Sequence, residues 1–134
     1  MGDSVIVADW IAKAIIDLKA AKILFEHECG NEVVAFHCQQ AIEKALKAII
    51  LYLYATLESG HSLLYLCKKV MMKIPEFDKH LTGCIFVNQY YTETRYPNEN
   101  QIIVTNEEAK ECIKIAEDIL NIVDEKINGG NKNA

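Results

Sequence analysis

The chain has 134 residues, 51% of them hydrophobic, and a formal net charge of −5 from 14 basic and 19 acidic side chains. That is one domain's length with enough apolar material for a core, which excludes a disordered chain. The acidic balance excludes non-specific attachment to nucleic acid over the whole surface, though not a small basic site.

Residues 5–28 place Ile11, Ala14, Ile15, Leu18, Ala21 and Phe25 at helical spacing and predict a first amphipathic helix. Asp3 or Ser4 can cap its start, and Gly30 suits the left-handed position after its end. Residues 32–56 predict a second helix, apolar over more than half its circumference through Val34, Cys38, Ala41, Ile42, Ala45, Leu46, Ile49, Ile50 and Leu53. Such a helix belongs at the centre of a bundle, or at the centre and in a dimer. Its polar stripe is Gln39, Gln40, Glu43, Lys44 and Lys47, with Glu43 and Lys47 in the favourable i,i+4 order. A polar ridge on so apolar a helix needs partners when buried, which points to an interface or a site.

Ser59-Gly60-His61-Ser62 reads as a turn. A short helix follows from about Ser62 to Met72, with Leu63, Leu66, Cys67 and Val70 on one face. Pro75 opens a fourth helix that reaches about Tyr91 and buries Phe77, Leu81, Cys84 and Ile85. The segment Thr94–Val104 is a loop, and Thr105 with Glu108 forms a capping box. The fifth helix carries Ala109, Cys112, Ile113, Ala116, Leu120, Val123 and Ile127 and ends at Gly129-Gly130. No segment alternates as a strand would. The expectation is an all-α, up-and-down antiparallel bundle of four long helices and one short helix. It forms a single domain over residues 1–130, with a disordered tail at 131–134.

Antiparallel packing would bring His61, after helix two, to the same end as Arg95 and Tyr96, after helix four. The starts of helices three and five would lie there too. A cation, an imidazole and helix N-termini suit an anion. Tyr90, Tyr91 and Tyr96 could stack a base while Arg95 holds a phosphate. Each residue also has an ordinary role: a loop Arg caps a helix end, tyrosines edge a core, and His61 caps helix three. For acid–base chemistry His61 lacks an evident nucleophile or activated water.

The five cysteines, at 29, 38, 67, 84 and 112, contain no CxxC, and all but Cys29 fall among apolar helical positions. They imply a reducing, cytoplasmic setting without a disulfide framework. Asp3 and Asp9 without a basic region do not read as a signal peptide, and the apolar run Ala48–Leu57 is too short to span a bilayer. The spacing of His27, Cys29, His37 and Cys38 fits no familiar zinc site, so no metal and no cofactor is expected.

The run Phe36-x-x-Gln39-Gln40-Ala41-x-Glu43-Lys44-x-x-Lys47-Ala48, then His61-Ser62-Leu63, Tyr90-Tyr91 and Arg95-Tyr96-Pro97, resembles the HEPN family, the nucleotide-binding domains of higher eukaryotes and prokaryotes. Trp10, Asp17-Leu18 and Glu107-Glu108-Ala109 fit as well, so the resemblance spans nearly the whole chain. It implies a helical bundle that forms a homodimer, associates with nucleotide or RNA, and stands beside a minimal nucleotidyltransferase partner in toxin–antitoxin pairs. In ribonuclease members four to six residues stand between an Arg and a following His. Arg95 matches the Arg, but Asn100, Gln101 and Ile102 occupy the positions of the His. The expected site is therefore a binding site built from Arg95, Tyr96, His61 and Tyr91. The alternatives are a metal-independent ribonuclease using Arg95 and His61, and a purely structural dimer. Helix two or helix four is the expected dimer surface, because helix two carries more apolar area than one side of a bundle covers.

Overall fold

A computed structural model of the chain describes residues 2–91, 97 and 103–132. It contains α1 (Gly2–Glu26), α2 (Asn31–Tyr54), α3 (Leu63–Met71), a 3₁₀ helix (Pro75–His80), α4 (Leu81–Asn88) and α5 (Asn106–Lys132). Among the described residues there is no strand, and the all-α bundle expected from periodicity is present. The helix lengths differ from expectation. Only α1, α2 and α5 are long, because the stretch expected as one helix from Pro75 is a 3₁₀ helix joined to the short α4. The last helix continues past Gly129-Gly130 to Lys132.

Strict alternation of direction does not hold either. Val7 of α1 packs with Ala48 and Leu51 near the end of α2, so α1 and α2 form an antiparallel pair. Asn31, at the start of α2, donates to Val104 O at 3.0 Å and to Asn106 Oδ1 at 2.8 Å. Ile127, near the end of α5, packs against the cluster at the end of α2. The helices α2 and α5 therefore run the same way. So does α3: its end meets the end of α2 through Tyr54 Oη donating to Lys69 O at 2.8 Å. The segment between α2 and α3 runs back beside α2 instead of turning once. A local turn signal cannot distinguish these two courses.

Helix α2 is the core element. Its residues from Ala45 to Leu51 are all buried, and the other helices surround it. The surface expected to need a dimer partner is thus covered within the chain. Among the described residues α1 carries an unpartnered apolar stripe, where Val5, Ile15, Ile16 and Ile23 are 62%, 52%, 60% and 49% exposed. Gly83 allows α4 to close on α5, since a Cβ there would meet Ile115 Cγ2 at 2.9 Å.

The helix ends obey capping chemistry with two surprises. Thr105 and Glu108 form the reciprocal capping box, at 2.9 and 3.1 Å. The α3 cap is Ser62 Oγ, which accepts from the Tyr65 amide at 3.2 Å, and not His61. The left-handed residue after α1 is Glu28 (φ 54°), while Gly30 (φ 115°) precedes α2 as its N-cap. The Cys29 amide reaches Leu24 O at 2.9 Å and the Glu28 amide reaches Phe25 O at 3.2 Å, the Schellman pair of bonds that puts Glu28 in that conformation.

Candidate functional site

The polar stripe of α2 divides into two networks. Lys44 turns to α1 and pairs with Asp17 Oδ2, while His37 Nδ1 lies 3.0 Å from Asp17 Oδ1. This cluster joins the first two helices. Gln39, Glu43 and Lys47 form a second network and are buried.

In that second network Lys47 Nζ donates to Glu43 Oε2 at 3.0 Å. Gln39 Nε2 donates to Glu43 Oε1 at 3.2 Å, and Gln40 Nε2 donates to Gln39 Oε1 at 2.7 Å. The Trp10 ring covers the Lys47 ammonium at 5.7 Å. Two charges out of water are tolerated here because they pair with each other, Glu43 also accepts from Gln39, and the Trp10 ring lies over the Lys47 ammonium.

The network reaches the surface at His61. Its Nδ1 lies 2.9 Å from Glu43 Oε2, although the side chain is 56% exposed. Tyr91 stacks on the imidazole, with ring centroids 5.4 Å apart and planes within 14°. The Leu63 amide donates to Asn88 Oδ1 at 2.8 Å, which holds the start of α3 against the end of α4 and brings the two rings together. Beside Tyr91, Tyr90 is fully buried, and burial pushes its phenol up to about 12, so it acts as a packing residue.

The structure therefore joins His61, Tyr91, Glu43, Lys47, Gln39 and Gln40 in one place and sends Lys44 elsewhere. Arg95 and Tyr96 lie outside the described residues. The assembly sits halfway along α2. The start of α5 is twelve residues away along α2, at the level of Asn31, or about 18 Å. The return segment after α2 places His61 there, away from the start of α5 beside which it was expected. Trp10, Asp17, His37 and Asn88 support the two networks. No local pattern in sequence links any of them to a partner 20 or more residues away.

Cys38, Cys67, Cys84 and Cys112 are buried free thiols, and Cys29 is exposed. Burial raises the Cys38 and Cys112 thiols, the latter to about 12. Among the described residues no three His, Cys, Asp or Glu side chains gather as metal ligands. No described helix is long and apolar enough to cross a membrane. A cleft of about 400 Å³ between α1 and the end of α2 is lined by groups such as Val7, Ile11, Leu51 and Tyr52, and offers no charged side chain.

Comparison with known proteins gives concordant likenesses. The family model for the HEPN domain matches residues 7–127. The protein named "Putative toxin MJ1304" of Methanocaldococcus jannaschii is 28% identical over 131 residues, covering 85% of this chain and 83% of that protein. The crystal structure of TT1696 from Thermus thermophilus superimposes with a TM-score of 0.74 at 29% identity, covering 90% of this chain and 97% of that one. That of ST0689, an archaeal HEPN homologue, gives 0.71 at 29% identity with the same coverage.

Proposed function

The chain belongs to the HEPN family, and on that premise we propose that it is a HEPN-type binding module for a ribonucleotide or RNA. The observation that carries this reading is the half-exposed His61, held by buried Glu43 and stacked on Tyr91. An aromatic–imidazole pair fixed before any ligand arrives is suited to a base and its sugar, because little ordering cost remains to be met on binding. Arg95 stands four positions after Tyr91 in the chain, a span of at most about 14 Å. Arg95 and Tyr96 are therefore proposed to add a phosphate contact and a second aromatic to the same site.

The proposed unit is one HEPN-type domain over residues 1–130, working as a homodimer in the cytoplasm. The outer stripe of α1 is the apolar surface proposed for a second copy. The relative named as a putative toxin supports a toxin–antitoxin-like setting, and the partner proposed there is a minimal nucleotidyltransferase.

A ribonuclease reading draws on the same geometry, since a carboxylate-held imidazole can exchange protons. It is the weaker reading, because no His follows Arg95 within six residues. The test is binding of a fluorescent RNA oligonucleotide to wild type and Arg95→Ala. A loss of roughly 1.5–3 kcal/mol, the scale of a hydrogen bond to a charged group, with an unchanged melting curve supports the binding site. Normal binding with a much lower melting temperature would make Arg95 structural.

A further inference from the structure

The Glu43–His61 contact limits what a ligand must offer at this site. A neutral imidazole has one donor and one acceptor nitrogen, and its partner decides which is which. A carboxylate only accepts. Lys47 Nζ and His61 Nδ1 both meet Glu43 Oε2, at 3.0 and 2.9 Å, while Gln39 Nε2 meets Oε1 at 3.2 Å. With donors gathered on both oxygens, Glu43 has no acceptor to receive a proton of its own, and it accepts from His61. The ring's orientation is fixed a second time by the Tyr91 stack. Among the described residues Nε2 makes no hydrogen bond.

We propose that Glu43 is a positioning residue that fixes the tautomer of His61, so that whenever the ring carries a single proton that proton sits on Nδ1 and Nε2 accepts a hydrogen bond from a ribose hydroxyl of the ligand. This rests on the reading of the site as one for ribonucleotide or RNA and adds what His61 does in it. A phosphate diester offers acceptors only and cannot pair with an acceptor nitrogen. A 2′-hydroxyl can donate to it, and that group distinguishes RNA from DNA.

Two measurements on the full chain decide the matter. The first is the ¹⁵N spectrum of the histidine rings at alkaline pH. The expected result is a His61 Nδ1 of the protonated, pyrrole type and an Nε2 of the unprotonated type. The reverse pattern overturns the proposal without any variant being made. The second is binding of an oligoadenylate prepared as RNA and as DNA. Wild type is expected to favour RNA roughly threefold to tenfold, the scale of one net hydrogen bond. A Glu43→Leu, Lys47→Met double variant leaves no unpaired buried charge from this ion pair, and its preference is expected to fall toward one. Equal binding of RNA and DNA by wild type, or a preference that survives in the double variant, overturns the proposal alone. Binding of neither oligonucleotide overturns the ribose assignment together with the nucleic-acid reading, while the spectrum still reports the tautomer.

Discussion

Replacing Glu43 by alanine removes the acceptor shared by Lys47, His61 and Gln39. His61 is exposed and can turn to water. Lys47 cannot, because its side chain is only 6% exposed and the Trp10 ring lies over it. Breaking a buried pair by deleting one partner costs about 3–5 kcal/mol, largely from the charge left behind. Domains slightly larger than this one lose about 2–4 °C per kcal/mol, so Glu43→Ala should melt roughly 6–20 °C below wild type. Urea unfolding followed by far-UV circular dichroism measures the free energy directly. The double variant Glu43→Leu, Lys47→Met replaces the pair with apolar groups of similar size and should recover most of the loss, since such exchanges are often neutral or stabilising. If Glu43→Ala falls within about 1 kcal/mol of wild type, well short of the cost of a broken buried pair, the pair is solvated and the buried network does not hold the fold. A double variant as unstable as the single would show that the loss comes from shape and not from charge.

Other expectations follow from the same structure. Ala55 closes α2 with φ 56°, so Ala55→Gly should stabilise the chain by about 0.5–1 kcal/mol in the same unfolding assay. In native protein only the exposed Cys29 should react promptly with a thiol reagent, and the other four thiols should react only on unfolding. Light scattering should give a dimer mass for wild type at micromolar concentration and a monomer mass for Ile16→Glu, since Ile16 lies in the exposed stripe of α1. A wild-type monomer would end the dimer proposal, and an intact Ile16→Glu dimer would move the interface elsewhere.

Periodicity located the helical segments because each has an apolar face in register with its turns, and the Thr105–Glu108 box marked the start of α5. The direction of α3 was not legible. Gly60 marks a turn, but the path back along α2 is set by the Glu43–His61 and Leu63–Asn88 bonds, which join residues 18 and 25 apart. Sequence also put Gly30 in the left-handed position that Glu28 occupies, because a strong local preference was outweighed by the paired bonds closing α1. For the site, the polar stripe was visible as a unit. Its division was not, since Lys44 finds its partner only once Asp17 arrives on α1. His61 and Tyr91 were both singled out, yet nothing local says that their rings stack.

The central claim is that the His61–Tyr91 pair is a ligand site. It is tested most directly by NMR titration of isotope-labelled protein with a short RNA. The largest chemical-shift changes should fall on the His61 and Tyr91 rings, and His61→Ala should abolish them. Saturable binding whose shifts lie elsewhere and persist in His61→Ala would contradict it.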